Sequence, residues 1–428
     1  MKLVDIISLG CSKNLIDSER LMAQLRANNI NVEHDPANPK GEVAVINTCG
    51  FIGDAKEESI NTILQFAEAK QHGKLKKLYV MGCLSERYRQ ELTEQIPEVD
   101  KFYGKFDWNG LVSELGATYR RDLMNERSLT TPGHYAYLKI SEGCNRMCSY
   151  CAIPLITGPH TSRPMDEILT EVRGLADSGV KELQIIAQDL SSYGTDLYKK
   201  NKLAELIDKI SEVEGIEWIR LHYAYPAGFP HDVLDVMANN PKVCKYLDLA
   251  LQHASDHMLG LMRRHITKEK TIALLDEIRE KVSGIHIRTT MITGHPGETE
   301  EDFAEMMDFV KTQRFERLGV FPYSHEDDTY AFKNYKDDIP EEVKQDRASQ
   351  IMEIQEGISA EVNNSKIGKT LRVMIDRIED NHFVGRTEFD SPEVDPEVVV
   401  YGDAKVGEFV NVEITDAEDF DLIGEVQK

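Results

Sequence analysis

The sequence of 428 residues has no apolar run long enough to cross a membrane. It also lacks the pattern of a signal peptide, because the residues after Lys2 pass directly into an apolar segment that contains Asp5. We therefore expect a cytoplasmic protein of two or three domains with no membrane partner. In that compartment thiols stay reduced, so cysteine patterns indicate metal binding or catalysis rather than disulfides.

Positive charge is scarce. The chain has 50 Lys and Arg against 74 Asp and Glu, for a formal net charge of −24. A nucleic-acid-binding protein needs a basic face, since phosphate contacts supply most of its affinity, and no basic stretch of that size is present. The composition instead favours a basic macromolecular partner.

Cysteine is also infrequent, but six of the seven cysteines form two groups of three. One group is compact, with the spacing C-x3-C-x2-C, and one is dispersed. The compact triad is Cys144, Cys148 and Cys151, and the dispersed triad is Cys11, Cys49 and Cys83. A 4Fe–4S cluster held by three thiolates keeps one iron open for a substrate or cofactor. Cys244 has no such context and is interpreted as an ordinary core or surface thiol.

Each cysteine of the dispersed triad ends a short apolar run that predicts a buried strand, at residues 4–11, 43–49 and 78–83. Helical patterns follow at about 17–28, 56–72 and 85–95. This order predicts a parallel sheet, whose strands end at one edge, so the three cysteines should converge there. The alternative is that each is simply a small buried apolar residue.

The middle of the chain repeats a strand followed by a helix six times. The strands are predicted at 137–141, 182–188, 218–223, 246–251, 286–292 and 318–323, and helices at 166–178, 203–213, 268–282 and 300–313. Gly179 is a C-cap signal, and Thr299 with Asp302 is a capping box. Six units predict a partial barrel with an open side for a large substrate and chemistry at the carboxyl ends of the strands. The compact triad follows the first strand directly, although its spacing alone would also suit zinc with a histidine.

After a predicted helix at 341–363 the pattern changes to short alternating runs. Five strands are predicted at 370–376, 383–387, 398–401, 409–414 and 422–426, as a small antiparallel barrel. Residues 364–428 carry 7 Lys and Arg against 16 Asp and Glu, a net charge of −9. Small barrels of this kind commonly bind RNA, which this one would repel. The alternative is an acidic solvated face without a partner.

The compact triad, with Tyr150 before its last cysteine, resembles the radical S-adenosylmethionine superfamily. Together with the second triad and a terminal barrel of the TRAM type, which is OB-like, the whole chain resembles the methylthiotransferases. The resemblance implies three domains: an α/β domain with an auxiliary cluster (1–125), a radical S-adenosylmethionine core with a partial (β/α)6 barrel (130–363) and a TRAM-type barrel (364–428).

Within the methylthiotransferases the sequence resembles the ribosomal-protein branch. The tRNA branch, similar to MiaB, typically reads Gly-Cys-Gln-Met-Asn near its start, whereas this chain reads Gly10-Cys11-Ser12-Lys13-Asn14. Segments 252–256, 294–299, 322–325 and 386–395 also match the ribosomal-protein branch. Thr157 is a departure, since many members carry a basic residue there.

The resemblance implies two 4Fe–4S clusters and S-adenosylmethionine as cofactors. The compact triad would hold the cluster that cleaves S-adenosylmethionine to a deoxyadenosyl radical, and the dispersed triad would hold a cluster that carries the donated sulfur. A second S-adenosylmethionine would methylate that sulfur. The radical would take hydrogen from the β-carbon of an aspartate in the small-subunit ribosomal protein of the decoding centre, free or on the assembling ribosome. An electron donor is implied, and no side chain beyond the cluster ligands is assigned a catalytic role.

Several residues are candidates for contact with S-adenosylmethionine. Tyr150 would pack on adenine, Gln188 would bind the methionine moiety, and the turn at 294–298 would meet the adenine through its backbone. The full set is Tyr150, Gln188, Gln252, Ser255, Arg288, Gly294 and Gly297. Two other functions remain as alternatives: a MiaB-like tRNA adenosine methylthiotransferase, and a non-catalytic iron–sulfur scaffold.

Overall fold

The computed structural model describes residues 3–427 of the chain and begins with a five-stranded parallel sheet in the order β2-β1-β3-β4-β5. Its strands are β1 (Leu3–Ser8), β2 (Asn31–His34), β3 (Val43–Thr48), β4 (Lys77–Gly82) and β5 (Lys101–Phe102). Its helices are α1 (Ser12–Ala27), α2 (Gly53–Gln71), α3 (Cys83–Gln95) and α4 (Trp108–Glu114). The three predicted strand–helix pairs are confirmed. The additional strands β2 and β5 are too short, and β2 too polar, to show an apolar run.

Helices cover both faces of this first sheet. Strand β3 is buried along its whole length, with Ala44 and Ile46 in one apolar core and Val43 and Val45 in the other. Burial on both faces explains why the predicted strands appear in the sequence as continuous apolar runs without alternation.

The middle of the chain forms a six-stranded parallel sheet in the order β13-β12-β11-β10-β9-β6. The strands from β6 onward are β6 (Tyr135–Lys139), β7 (Ser141–Glu142), β8 (Thr161–Ser162), β9 (Glu182–Ile186), β10 (Trp218–Ala224), β11 (Val243–Leu249), β12 (His286–Thr293) and β13 (Arg317–Pro322). Strands β7 and β8 form a separate antiparallel ribbon. Since β6 and β13 are the edges of the large sheet, the predicted partial (β/α)6 barrel with an open side is confirmed.

Helices flank this partial barrel. They are α5 (Ile153–Thr157), α6 (Met165–Asp177), α7 (Leu203–Ser211), α8 (Asp232–Asn239), α9 (Asp256–Leu261), α10 (Lys268–Lys281), α11 (Glu300–Gln313), α12 (Tyr330–Asn334) and α13 (Glu341–Asn364). The capping box is present: Thr299 Oγ1 accepts from Asp302 N at 3.1 Å, and Thr299 N donates to Asp302 Oδ2 at 3.0 Å. Gly179 follows the end of α6 with φ +100°, as its C-cap signal predicted.

The C-terminal segment is a closed five-stranded barrel in the order β14-β15-β16-β18-β17. Its strands are β14 (Thr370–Glu379), β15 (His382–Thr387), β16 (Val398–Tyr401), β17 (Phe409–Ala417) and β18 (Leu422–Val426). All five predicted strands are confirmed. One pair differs from a purely antiparallel barrel: β16 and β18 run parallel, because β17 lies between them in the chain and pairs with β14 and β18.

Buried charges join the C-terminal barrel to the partial barrel. Glu182 of β9 accepts from Arg220 of β10 at 3.0 Å and from Arg386 of β15 at 2.8 Å, and all three side chains are buried. Arg386 also pairs with Asp376 at 2.6 Å. The Glu182–Arg386 pair is the one of these contacts that crosses between the barrels, so it forms only when the two barrels are docked.

No helix within residues 3–427 is both long and apolar enough to span a membrane.

Replacing Glu182 with Gln should lower the free energy of unfolding by about 3–5 kcal/mol, because it leaves Arg220 and Arg386 buried without their shared counter-ion. Trp218 reports on this interface, since its ring lies 4.7 Å from that of Phe409. Urea unfolding followed by the fluorescence of Trp218, in a Trp108→Phe background, measures the loss.

The control for this experiment is Glu379→Gln, which removes an exposed partner of Arg377 and should cost about 1 kcal/mol or less. A pH series adds a second check. Burial alone would raise the pKa of Glu182, but Arg386 and Arg220 hold it below its usual value of 4.5. The wild-type protein should therefore lose stability as the pH falls below 4.5, and the Glu182→Gln variant should lose less. Equal acid sensitivity of the two proteins would contradict this assignment.

Candidate active site between two cysteine triads

The dispersed triad lies at the carboxyl edge of the first sheet. Cys11 is the N-cap of α1, Cys49 directly follows β3, and Cys83 is the first residue of α3 after β4. Strands β1, β3 and β4 are neighbours in the sheet, so the structure brings these three residues together.

Each of the three cysteines stands next to a glycine, and the glycines let the cysteine loops pack on one another. A Cβ on Gly10, which has φ +87°, would lie 2.8 Å from Cys49 Sγ. A Cβ on Gly50 would lie 2.8 Å from the carbonyl carbon of Cys83, and one on Gly82 would lie 2.5 Å from the Thr48 carbonyl oxygen. The space that a side chain would fill is used for close approach of the backbone.

The thiols of the dispersed triad differ in their proton affinity. Burial raises the pKa of Cys49 to about 11 and that of Cys83 to about 12. Cys11 is exposed to solvent, and desolvation by the surrounding protein would by itself raise its pKa. The charge of Lys13 and the N–H of Asn14 nevertheless lower the pKa of Cys11 below its usual value. Metal binding at Cys49 and Cys83 must therefore displace protons.

The compact triad occupies the loop between β7 and α5, at the carboxyl end of the first barrel strand. Cys144 and Cys148 are buried and Cys151 is half-buried. Burial raises the pKa of Cys144 to about 11. Cys144 N donates to Gly158 O at 3.2 Å, which closes the loop against the segment after α5. Thr157, the departure noted above, donates its hydroxyl to the Ile153 carbonyl at 3.0 Å.

Three residues that the sequence did not single out lie beside the compact triad, and two of them contact Cys148. Arg264 Nη1 lies 3.3 Å from Cys148 Sγ, and Tyr225 Oη lies 3.7 Å from the same sulfur. Arg264 and Arg146 contact the Tyr225 ring, at 4.0 and 4.2 Å from its centroid. Two cations beside the thiols suit an anionic cluster. Arg146 lies within the C-x3-C-x2-C segment, whereas Arg264 and Tyr225 belong to no motif and are identified only by the tertiary structure.

Five of the predicted cofactor contacts lie at the carboxyl ends of barrel strands. They are Tyr150, Gln188, Gln252, Gly294 and Gly297. Tyr150 Oη accepts from Arg264 at 3.1 Å, and its ring lies edge-on to His295 at 6.5 Å, so the triad loop and the turn at 294–298 are adjacent. Gln188 donates to Glu142, and its Oε1 is buried with no partner among residues 3–427. That oxygen is a free acceptor for a ligand's amino group.

The other two predicted contacts have protein partners. The Ser255 hydroxyl caps α9 and donates to Asp302. Arg288 Nε donates to Oδ1 of Asp395 at 3.2 Å, and Asp395 lies in the loop between β15 and β16. The Arg288 guanidinium also lies 3.7 Å from the Asp248 carboxylate.

A buried charge network joins the two triads. Asp17 of α1 accepts from Lys105 at 2.9 Å and from Lys139 of β6 at 2.7 Å, and all three side chains are buried. Lys139 also pairs with Glu142 at 2.7 Å, next to the compact triad. Burial alone would raise the pKa of Asp17, but the two lysines hold it below its usual value.

Two further contacts close the cleft between the first sheet and the partial barrel. Arg87 of α3 donates to the Gly50 carbonyl at 2.9 Å and to Glu326 at 2.8 Å. On the other side, Lys13 Nζ lies 3.3 Å from the ring centroid of Tyr223. The carboxyl edges of the two sheets, with their cysteines, therefore face one cleft.

Within residues 3–427, no three His, Cys, Asp or Glu side chains are arranged to share a single metal ion. The ligands of a zinc site converge on one point. The thiolates of a 4Fe–4S cluster bind separate irons and stay farther apart, so both triads and their surrounding cations are compatible with clusters.

Comparison with known proteins agrees with this architecture. The Radical SAM superfamily matches residues 138–310, the TRAM domain matches 367–426, and a family described as uncharacterized protein family UPF0004 matches 3–104. The chain is 62% identical to "Ribosomal protein uS12 methylthiotransferase RimO" of Bacteroides thetaiotaomicron, over 99% of this chain and 98% of the relative. The protein of the same name from Cytophaga hutchinsonii is 54% identical, over 99% and 98%.

The chain belongs to the RimO family. It is therefore a radical S-adenosylmethionine methylthiotransferase, with 4Fe–4S clusters and S-adenosylmethionine as cofactors, as the sequence predicted. Solved structures resemble it in fold alone. The methyltransferase TsrM from Kitasatospora setae has a TM-score of 0.55 at 14% identity, covering 75% of this chain and 72% of its own. The enzyme OxsB has a TM-score of 0.54 at 13% identity, covering 82% and 56%.

Replacing Gly10 with Ala should remove about half of the iron bound after anaerobic reconstitution, because the new Cβ would displace Cys49 from the dispersed triad. Iron and sulfide analysis measures the loss.

Gly116→Ala is the matched control, since Gly116 has a similar φ of +82° and no atom within 4 Å of the added Cβ. Both variants carry the strain of a left-handed alanine. An equal iron content in the two variants would show that the close approach of Gly10 to Cys49 is unimportant for the cluster.

Proposed function

We propose that the chain adds a methylthio group to the β-carbon of an aspartate in ribosomal protein uS12. The observation that carries the proposal is the arrangement of two cysteine triads on opposite sides of one cleft, joined by the Asp17–Lys139 ion pair at 2.7 Å. In this proposal the substrate side chain lies between the triads and reaches both. The relatives' name supplies the substrate protein.

In this proposal each triad holds one cluster. Cys144, Cys148 and Cys151 hold the cluster that binds S-adenosylmethionine, and Cys11, Cys49 and Cys83 hold the auxiliary cluster. When bound, these groups supply the radical that takes hydrogen from the β-carbon and the methylated sulfur that replaces it.

The chain's own residues position the reactants and exclude water. The free Oε1 of Gln188 accepts from the amino group of S-adenosylmethionine, and the loop around Gly294 and Gly297 meets its adenine near Tyr150. Arg264 stabilises negative charge at Cys148. The Lys105–Asp17–Lys139 network fixes the separation of the two triads, which governs whether the substrate carbon lies within reach of both. Gln252, Ser255 and Arg288 belong to the same proposed set of contacts with S-adenosylmethionine, and Asp302 and Asp395 hold the side chains of Ser255 and Arg288.

The acidic C-terminal barrel contributes to substrate choice. Its net charge of −9 attracts a basic ribosomal protein and repels tRNA. We also propose that the domains span 1–125, 130–363 and 364–428, and that an external electron donor supplies the reducing electron.

A parallel assay tests the proposed function. Reconstituted protein, S-adenosylmethionine and a strong reductant are offered uS12 and bulk tRNA in separate anaerobic reactions. Mass spectrometry should find one added methylthio group on an aspartyl residue of uS12 and none on tRNA. Modification of tRNA alone would establish the MiaB-like alternative, and the absence of deoxyadenosine from both reactions would favour a scaffold.

A second experiment tests the cluster assignment. The triple variant with alanine in place of Cys144, Cys148 and Cys151 should retain about half of the wild-type iron, because the auxiliary triad is intact. Cys244→Ala is the control, since this buried thiol belongs to neither triad, and it should retain full iron content. Unchanged iron in the triple variant would refute the two-cluster assignment.

A further inference from the structure

The cleft between the triads has more positive charge than the acidic chain as a whole would suggest. Three lysines approach it from the protein side. They are Lys13 of α1, Lys105 after β5 and Lys139 of β6. Lys105 and Lys139 are buried and are neutralised by Asp17 and Glu142, at 2.7 to 2.9 Å.

Lys13 differs from the other two lysines because it lacks a carboxylate partner. Its Nζ lies over the face of the Tyr223 ring, 3.3 Å from the centroid, and forms no ion pair with a carboxylate of residues 3–427. An ammonium group has three N–H donors, and one aromatic face does not satisfy all of them. Lys13 therefore keeps donors free at the edge of the cleft.

Tyr223, whose ring lies under Lys13, has a strained backbone conformation. Tyr223 has φ +63°, an unfavourable conformation for a bulky residue, at the carboxyl end of β10. Its backbone N–H donates to Asp248 Oδ2 at 3.2 Å, which stabilises this turn of the chain. Strained residues that the surrounding structure enforces cluster at functional sites. Here the strained backbone conformation of Tyr223 places its ring beside the loop of Cys11, where it contacts and orients the Lys13 side chain.

The substrate of the proposed reaction brings one more anion into the cleft. The reacting β-carbon of aspartate is bonded directly to its carboxylate, so this carboxylate must leave water together with the carbon. A carboxylate taken out of water requires a cation or several hydrogen-bond donors. Lys105 and Lys139 already have carboxylate partners. Lys13 has no carboxylate within ion-pairing distance, although its charge also acts on Cys11, two residues away, and on Asp248.

We propose that Lys13 binds the side-chain carboxylate of the substrate aspartate and so selects an acidic side chain for methylthiolation. This inference rests on the proposed function and adds a specificity-determining residue to it. The competing role for Lys13 is to neutralise the auxiliary cluster held by Cys11. Removal of Lys13 would then alter the cluster itself rather than the choice of side chain.

The test measures binding of uS12 to the reconstituted holoenzyme with S-adenosylmethionine and no reductant, so that no turnover occurs. Two forms of uS12 are compared, one with the target aspartate and one with asparagine in its place. The wild-type enzyme should bind the aspartate form about tenfold more tightly, as expected for one charge-assisted hydrogen bond. Lys13→Met keeps the unbranched shape without the charge and should bind both forms equally. Lys13→Arg should restore most of the preference.

Lys74→Met is the control, because this exposed lysine precedes β4 at the opposite edge of the sheet and should leave the preference unchanged. Iron content and the electron paramagnetic resonance spectrum of each variant report on the clusters. An undiminished aspartate preference in Lys13→Met would overturn the proposal. A loss of iron or an altered auxiliary spectrum in that variant would also overturn it, in favour of the cluster role. If wild-type enzyme modifies no aspartate of uS12, the proposed function itself fails.

Discussion

The ion pairs of Asp17 with Lys105 and Lys139 are the interaction on which the candidate site depends. Asp17 lies on the helix that Cys11 caps, and Lys139 ends the barrel strand that leads to the compact triad. Buried charges tolerate little displacement, since each would be left unpaired in a medium of low dielectric constant. The network therefore holds two separately folded sheets at one separation. A hydrophobic contact would bury area equally well, but it would specify the relative position less strictly.

That fixed separation matters because a single substrate carbon atom must lie within reach of both cluster sites. The cofactors carry out the bond cleavage, and the protein contributes position and exclusion of water. Arg87, which contacts both the Gly50 carbonyl and Glu326, supports the same geometry from the other side of the cleft. The C-terminal barrel is attached through Glu182 and Arg386 at the opposite ends of the barrel strands, so its acidic surface can influence the partner without occupying the cleft.

Much of the fold could be predicted because its strands are buried on both faces and its helices are amphipathic. The elements that were missed are short or polar, such as β2, β5, α8 and α12. The parallel pairing of β16 with β18 could not be predicted, since periodicity reports which residues are buried and not which strand lies next to which. In the site, the spacing of the six cysteines identified them from the sequence, and Gly10, Gly50 and Gly82 are their sequence neighbours. Arg264 and Tyr225 were not, because their contacts with Cys148 span long sequence distances.

The sequence by itself determined the order of the three units, the two cysteine triads and the acidic charge of the last barrel. These properties reside in local spacing, periodicity and composition, which folding does not alter. Only the tertiary structure decided which side chains acquire partners. Arg288 and Ser255 are engaged by Asp395 and Asp302, while Gln188 keeps a free oxygen and Lys13 lies on Tyr223 without a carboxylate. Whether a polar group is free to bind a ligand depends on what the rest of the chain places within hydrogen-bonding distance, and that distance exists only in the folded protein.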